Sequence, residues 1–208
     1  MKLADLARGA DAVLDGDGDV EITGVVYDSR RVGPGDLFVA VQGLHVDGHD
    51  YIADAARQGA AAIALERNLK VPAELPVLRM TSTRTGLADL AAEFYGRPSR
   101  RLKLAGVTGT DGKTTVTHMS EHILQTSGVV AGAMSTVAFK VSGHEIDNVS
   151  GQTTTEAPEV QAWLSRMVEA GAECAVIETT SHALVQQRVR ACEFDVAAFT
   201  NVGRDHRD

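Results

Sequence analysis

Short apolar runs alternate with segments of helical periodicity along the first half of the chain. The runs are rich in Val, Ile and Leu, a composition typical of buried strands. They predict four strands, at residues 20–27, 37–41, 61–65 and 77–80. Two helices are predicted in the same half, at residues 51–58 and 87–95, and each is followed by a glycine, which favours a helix end.

The same alternation continues beyond Gly96 and Pro98, which predict a boundary between a domain at residues 1–98 and another at residues 99–208. Extended segments are predicted at residues 102–107, 130–134, 137–141, 175–177 and 195–200. Helices are predicted at residues 113–125 and 157–170. Such alternation is typical of a parallel sheet covered by helices. The sequence therefore predicts the α/β class, with a small N-terminal α/β domain followed by a partial doubly wound, mostly parallel sheet.

Composition and charge narrow the range of functions. The 208 residues are 44% hydrophobic and 23% charged, which is ordinary for a protein that buries a full core. The net charge of -8 argues against broad nucleic-acid binding, which needs a basic surface. Apolar runs are too short to cross a bilayer, so membrane insertion is not expected. Two cysteines without a secretory signal favour a cytoplasmic protein with reduced thiols.

A glycine-rich segment at residues 106–115 lies between a predicted strand and a predicted helix. Glycines let successive main-chain N–H groups face an anion, and a helix N-terminus adds partial positive charge. The segment predicts ATP binding by Gly109, Thr110, Asp111, Gly112, Lys113, Thr114 and Thr115. We expect Lys113 to reach the β- and γ-phosphates and the Thr114 hydroxyl to bind Mg²⁺.

Two other motifs are interpreted as structural. The H-x-x-E-H pattern at residues 118–122 occurs in zinc proteases. Because Val116, Met119 and Ile123 are spaced as an apolar helix stripe, we expect both histidines of that pattern to face solvent. The acidic run at residues 15–19 resembles a calcium loop but lacks its glycine and its final glutamate, so we expect a turn.

The glycine-rich segment fits G-x-x-G-T-[ND]-G-K-T-T and resembles the loop of the Mur ligase family, ATP-dependent enzymes that build the peptide of peptidoglycan. Other stretches agree, and several are similar to the type of enzyme that adds the third residue of that peptide. They lie at residues 28–30, 35–40, 47–50, 153–159, 181–188 and 200–208. The resemblance covers essentially the whole chain.

The resemblance implies an ATP-dependent, amide-forming ligase. It would add a third amino acid, diaminopimelate or lysine, to UDP-N-acetylmuramoyl-L-alanyl-D-glutamate through an acyl phosphate, with ATP and Mg²⁺. Its partners would be that UDP-linked dipeptide and the amino acid. Because the family has three domains, we expect this chain to be an incomplete fragment that is inactive alone.

The resemblance also implies roles for single residues. Lys113, Glu178 and His206 match catalytic positions, and Thr114 joins Glu178 and His206 as a metal ligand. Five positions match the binding of uracil and diphosphate: Tyr27, Ser29, Leu44, His45 and Val46. Five others match the path of the sugar-peptide: Thr153, Thr154, Thr180, Gln186 and Arg188. Arginine suits paired contacts with carboxylate or phosphate.

Alternative functions stay open at this point. A poly-glutamate or cyanophycin-type ligase would share the glycine loop but would not need the segment at residues 28–30. A phosphate-loop kinase or ATPase would share only the loop, and a non-catalytic nucleotide-binding module would consist of this part alone. Two departures from the family pattern, Thr155 in place of a proline and Thr180 in place of a serine, leave the substrate preference open.

Overall fold

The computed structural model describes residues 1–43, 46–69, 71 and 75–203. The chain divides into two compact units, Met1–Phe94 and Tyr95–Asp208. Each unit has its own sheet and its own apolar core. Both sheets are mostly parallel and are flanked by helices, so the predicted α/β class is confirmed.

The first unit is a five-stranded sheet with helices on both faces. Its helices and strands are α1 Leu3–Gly9, β1 Val13–Asp15, β2 Gly24–Val26, β3 Asp36–Val39, α2 Ile52–Arg57, β4 Ala62–Leu65, β5 Val77–Arg79 and α3 Thr83–Phe94. Short 3-10 helices lie at Ser29–Arg31 and Gly48–Tyr51. The strand order is β1-β5-β4-β3-β2, and β1 alone runs antiparallel to its neighbour among these strands.

Side-chain alternation along the central strands fills a core on each face of this sheet. Leu37 and Val39 of β3 lie in one cluster with Leu6 of α1 and Leu90 of α3. Phe38, between them in sequence, lies in the opposite cluster with α2. Burial on both faces explains why residues 37–39 of β3 are continuously apolar rather than alternating.

Several short elements differ from the sequence prediction. The run at residues 20–27 forms a strand only at β2, and Glu21 instead makes an isolated antiparallel bridge with Lys2. The apolar pattern does not reveal α1, because a helix of 7 residues makes only about two turns. Asp15 ends β1, and residues 16–19 lie in the turn that follows, in keeping with the predicted turn.

The second unit is a six-stranded sheet with the order β11-β6-β10-β7-β8-β9. Its elements are β6 Lys103–Thr108, α4 Lys113–Thr126, β7 Ala131–Met134, β8 Ala138–Val141, β9 His144–Asp147, α5 Ala157–Glu169, β10 Cys174–Glu178, α6 Ser181–Val185 and β11 Val196–Phe199. The strands β11, β6, β10 and β7 are parallel, whereas β8 and β9 pair antiparallel. The C-terminal ends of four strands therefore meet at one end of the sheet.

Helices cover both faces of the second sheet. Leu164 and Met167 of α5 pack in a cluster with Leu104 of β6 and Ile177 of β10. Strand alternation directs Glu178 to the face opposite Ile177, where α4 lies against β6, β7 and β10. None of the helices among the described residues combines the length and the hydropathy of a membrane span.

The helix α4 turns a polar face toward the sheet, contrary to the predicted apolar stripe. Met119 and Ile123 are 57% and 59% exposed, whereas Thr117 is fully buried. His118 Nε2 lies 2.9 Å from Ser135 Oγ, so the prediction that both histidines face solvent is wrong for His118. The glycine loop fixes where the helix begins and hence which of its faces meets the sheet.

Asp195 joins the starts of β11 and β6. Its main-chain N–H donates to Leu104 O over 2.9 Å, and the Leu104 N–H donates to Asp195 Oδ2 over 2.8 Å. Lys103 Nζ lies 3.0 Å from Asp195 Oδ1. The Leu104 amide and, after it, the Lys103 side chain hold the pKa of Asp195 below its ordinary value.

A carboxyl whose pKa is lowered by folding stabilises the fold above its unfolded pKa, about 4, and loses that contribution as pH falls through the folded value. We therefore expect Asp195→Asn to lower the unfolding temperature near neutral pH, with a difference from the parent that shrinks below about pH 4. Thermal unfolding across this range measures it. Asp147→Asn, on the exposed strand β9, should follow the parent throughout. A difference that stays constant with pH would contradict this electrostatic role.

Candidate functional site

The glycine loop of the second unit lies at the C-terminal end of β6 and leads into α4. Gly109 and Gly112 have φ angles of +137° and +81°, a region that favours glycine. A Cβ on Gly109 would collide with Thr200 Oγ1 and lie 2.9 Å from Asn201 O. Glycine is therefore required at residue 109 both by the backbone conformation and by the close approach of the segment after β11.

Thr200 and Asn201 brace the loop from the end of β11. Asn201 Oδ1 accepts from the N–H groups of Thr110 and Asp111, each over 3.1 Å, and Asn201 Nδ2 donates to Asp111 O over 3.0 Å. Thr200 Oγ1 donates to Asp111 O over 2.6 Å. Because two loop amides are already bonded, the amides in the first turn of α4, which have no intrahelical acceptor, remain for an anion.

Lys113 begins α4 and folds back over the loop. Its Nζ donates to Gly109 O and to Thr110 O, both over 2.8 Å. An ammonium group has three donors, so one N–H is left over after these two contacts. The two carbonyl contacts hold a positive charge at the mouth of the loop.

A buried carboxylate faces the first turn of α4. Glu178 ends β10 and is 2% exposed. Thr114 Oγ1 lies 3.0 Å and 2.9 Å from its Oε1 and Oε2. Thr136 donates to Oε2 through both its N–H, over 2.9 Å, and its hydroxyl, over 3.1 Å. Within the described part of the chain, Glu178 has no ion-pair partner, although buried charges in proteins are ordinarily paired or bind metals.

The pair Thr114 and Glu178 supplies oxygen ligands of the kind that magnesium prefers. Clusters of three or more His, Cys, Asp or Glu side chains that could hold a metal by themselves are absent from the residues that the structure describes. Magnesium binds through one or two protein oxygens together with phosphate and water, so the pair fits magnesium better than a structural zinc ion. His206, the third predicted metal ligand, lies outside the described residues.

Predicted substrate residues gather around the main chain of Glu178. Thr154 Oγ1 donates to Glu178 O over 2.9 Å and accepts from the Thr180 N–H over 3.3 Å. The Thr180 hydroxyl accepts from the Ala183 N–H and caps α6. Thr153 is half-buried beside Thr154. The Thr154 hydroxyl therefore joins the segment before α5 to the end of β10, and the Thr180 hydroxyl caps the helix that follows β10.

Arg188 is held by protein groups on three sides. Its Nη1 donates to Thr154 O over 2.7 Å, and its Nη2 donates to Gln186 Oε1 over 2.6 Å. Its Nε lies 2.9 Å from Glu156 Oε1 as an ion pair that lacks hydrogen-bond alignment. Thr155, which replaces the family's proline, buries a hydroxyl that has no hydrogen-bond partner in the described part of the chain.

The first unit carries a cavity of about 400 Å³, a volume typical of small-molecule sites. Tyr27, Ser29 and Val46 line it, three of the five residues predicted to surround the UDP group. The other two, Leu44 and His45, lie outside the described residues.

The segments that line this cavity are held by polar pairs. Arg30 donates to both carboxylate oxygens of Asp28, over 2.9 Å and 2.8 Å, and this contact lowers the pKa of Asp28. His49 is buried, with Nδ1 2.6 Å from Asp47 Oδ1, and Asp47 Oδ2 lies 2.7 Å from Arg67 Nη1. Sequence reasoning did not assign Arg67 to this group, because it lies far from Asp47 along the chain.

The fold and the loop define the class as a phosphate-loop α/β protein with an additional N-terminal α/β unit. Comparison with known proteins then gives the family. The model described as the Mur ligase middle domain matches residues 107–208, and the model described as the Mur ligase family, catalytic domain, matches residues 21–95. The chain belongs to the Mur ligase family.

Relatives are similar over nearly the whole chain. A UDP-N-acetylmuramyl-tripeptide synthetase of Roseiflexus sp. (strain RS-1) is 52% identical over 90% of this chain and 38% of its own length. A UDP-N-acetylmuramoyl-L-alanyl-D-glutamate–2,6-diaminopimelate ligase of Geobacter sulfurreducens is 41% identical over 100% of this chain and 41% of its own length. A solved structure described as a ligase of that second type has the same fold, with a TM-score of 0.79 at 22% identity over 100% of this chain and 42% of that one. The chain spans about two-fifths of the length of these proteins.

We expect Gly109→Ala to displace Thr200 and Asn201, which follow β11, because the added Cβ would take the space of the Thr200 hydroxyl. The amides of Thr110 and Asp111 would then lose Asn201 as their acceptor. Their hydrogen exchange with solvent should accelerate, since protection falls when a bonded amide opens.

Hydrogen–deuterium exchange of a peptide covering residues 108–116 measures this change. Gly128→Ala is the matched control: Gly128 also has a positive φ angle, +86°, but a Cβ there would meet nothing within 4 Å. Unchanged exchange in Gly109→Ala would contradict the conclusion that Thr200 and Asn201 hold the loop.

Proposed function

We propose that this chain supplies the nucleotide-sugar site and the ATP site of an ATP-dependent ligase. The ligase adds the third amino acid, diaminopimelate or lysine, to UDP-N-acetylmuramoyl-L-alanyl-D-glutamate. The names of the relatives support this substrate, and the name of the Geobacter sulfurreducens relative favours diaminopimelate. The free thiols of Cys174 and Cys192 are in keeping with a reducing, cytoplasmic location.

The observation that carries the proposal is the convergence of three side chains at the glycine loop. Lys113 holds its ammonium 2.8 Å from two loop carbonyls, and Thr114 lies within 3.0 Å of the Glu178 carboxylate. A cation and a magnesium-binding pair side by side suit a polyphosphate that carries magnesium. A plain turn between a strand and a helix would need neither group.

Amide formation by such a ligase takes two steps. An oxygen of the substrate carboxylate attacks the γ-phosphorus of ATP, the bond from that phosphorus to the bridging oxygen breaks, and ADP leaves. The amine nitrogen of the amino acid then attacks the acyl carbon and loses a proton, and inorganic phosphate leaves with the bonding electrons. Since two anions meet in the first step, positioning and charge neutralisation dominate the catalysis.

The residues at the loop would have different roles in this reaction. Lys113 would neutralise charge on the β- and γ-phosphates, while the free amides at the start of α4 would bind phosphate oxygens. Thr114 and Glu178 would hold Mg²⁺, which when bound withdraws charge from the phosphate oxygens. His206 remains a metal ligand predicted from the family motif.

The sugar-peptide would bind beside the same loop. Thr153, Thr154, Thr180, Gln186 and Arg188 are the residues proposed for it. Their support is the hydrogen bond from Thr154 to the main chain of Glu178, which ties this group to the magnesium-binding pair. Arg188 holds this group together through Thr154 O and Gln186 Oε1, and it is proposed for the substrate from the family pattern.

The UDP group would occupy the cavity of the first unit. Tyr27, Ser29 and Val46 line that cavity, and Leu44 and His45 are proposed with them from the family pattern. The volume of about 400 Å³ suits a nucleoside diphosphate, and the polar Ser29 hydroxyl can orient it.

Calorimetric titration tests the proposal with two ligands. The chain should bind ATP in the presence of Mg²⁺, and it should bind UDP-N-acetylmuramoyl-L-alanyl-D-glutamate independently. Binding of ATP without binding of the UDP-linked dipeptide would favour a general phosphate-loop ATPase and would contradict the ligase.

Replacing the loop cation should weaken ATP binding. We expect Lys113→Ala to raise the ATP dissociation constant at least about tenfold, because a hydrogen bond to a charged group contributes about 1.5–3 kcal/mol. Lys103→Ala is the matched control. Lys103 lies exposed at the start of β6, and the glycine loop follows the other end of that strand. Equal ATP affinity in the parent and in Lys113→Ala would contradict the proposed role of Lys113 in phosphate binding.

Removing the cavity hydroxyl should weaken binding of the UDP-linked dipeptide alone. We expect Ser29→Ala to lower its affinity by a few-fold to about tenfold, the effect of one hydrogen bond of about 0.5–1.5 kcal/mol. The shift in unfolding temperature caused by the dipeptide should shrink, while the shift caused by ATP persists. Ser150→Ala, on an exposed turn, serves as the control. Loss of both shifts would identify Ser29 as structural instead.

A further inference from the structure

We propose that Thr136, Ser135 and His118 form a clamp that positions the carboxylate of Glu178 for magnesium–ATP. The three residues are called the hairpin clamp below, because two of them lie in the turn between β7 and β8. The inference rests on the proposed function and gives a positioning role to residues outside the glycine loop.

Thr136 provides two of the groups that bond the carboxylate. Its N–H lies 2.9 Å from Glu178 Oε2, and its hydroxyl lies 3.1 Å from the same oxygen. Thr114 provides the remaining bonds from the opposite side, at 3.0 Å and 2.9 Å. A glutamate has several rotatable bonds and loses side-chain entropy when it is fixed, so the two threonines restrict a side chain that would otherwise rotate.

The turn that carries Thr136 is itself held by hydrogen bonds. Ser135 is fully buried, and its Oγ accepts from the N–H groups of Val137, over 3.3 Å, and Ala138, over 3.2 Å. The same hydroxyl lies 3.0 Å from Ala138 O. Asn148 Nδ2 donates to Ser135 O over 2.9 Å. These bonds fix the direction of the Thr136 N–H and hydroxyl toward Glu178.

His118 connects this turn to α4. Its Nε2 lies 2.9 Å from Ser135 Oγ. His118 follows Thr114 by four residues, so both side chains lie on the same face of the helix. The helix therefore holds the carboxylate of Glu178 directly through Thr114 and indirectly through the turn. This contact also explains one histidine of the H-x-x-E-H pattern, whereas His122 is exposed.

The clamp should matter only for the part of ATP binding that needs magnesium. Lys113 and the amides of α4 would bind the phosphates in either case. Partners that orient a metal ligand typically affect metal affinity 10- to 100-fold when they are removed. Loss of the clamp is therefore expected to weaken ATP binding with Mg²⁺ and to leave binding in EDTA unchanged.

Thr136→Val tests the clamp directly, because valine keeps the shape and the N–H and removes only the hydroxyl. We expect its ATP affinity to fall about tenfold in Mg²⁺ and to stay within about twofold in EDTA. Thr136→Ser restores the hydroxyl and should return the affinity in Mg²⁺ to that of the parent. Calorimetric titration with ATP under both conditions gives the four dissociation constants needed.

A second set of variants tests the contact between His118 and Ser135. His118→Leu should show the same selective loss in Mg²⁺, and His118→Gln should recover much of it, because the glutamine amide can take the place of Nε2. His122→Leu, on the exposed side of α4, should bind like the parent. The unfolding temperature of each variant is measured alongside.

Three outcomes are distinguishable. A selective loss in Mg²⁺ with rescue by Thr136→Ser and His118→Gln supports the clamp. Equal loss in Mg²⁺ and EDTA, or no loss in either, overturns the clamp, whereas ATP binding by the parent chain still supports the proposed function. If the parent chain does not bind ATP at all, the proposed function fails and the inference fails with it.

Discussion

The buried carboxylate of Glu178 is the group around which the second unit is arranged. Removal of a charge from water costs several kcal/mol unless hydrogen bonds or a cation compensate for it. Here Thr114 from α4 and Thr136 from the β7–β8 turn bond its oxygens, and Thr154 bonds its main chain. A helix and a hairpin thus meet at the end of β10, where together they satisfy one acidic group.

The glycine loop supplies positive charge, whereas Glu178 is a buried negative charge that other groups have to compensate. The chain carries a net charge of -8, so an anionic ligand has to be attracted by a local field. Lys113 and the first turn of α4 supply that field, and Asn201 fixes the loop through two amides. The loop is consequently held in place by protein groups, and the segment that holds it comes from the far end of the described chain.

Local patterns carried much of what could be predicted. The glycine loop, the strand that ends at Glu178 and the start of α4 at Lys113 were predictable, because each depends on neighbours in sequence. The brace by Asn201 and the contact between His118 and Ser135 were not, since they join residues that are 91 and 17 positions apart. Short elements such as α1 and β9 also escape periodicity, because they span too few residues to repeat a pattern.

One error in the sequence prediction falls at the site itself. Spacing of Val116, Met119 and Ile123 favoured an apolar inner face for α4, yet the helix buries Thr117 and Glu121. The Thr117 hydroxyl has no hydrogen-bond partner in the described part of the chain, so this orientation costs stability. Proteins tolerate such local conflicts mainly where function demands them. The inward polar face of α4 is therefore in keeping with the ATP site proposed at its first turn, since packing alone would have favoured an apolar face.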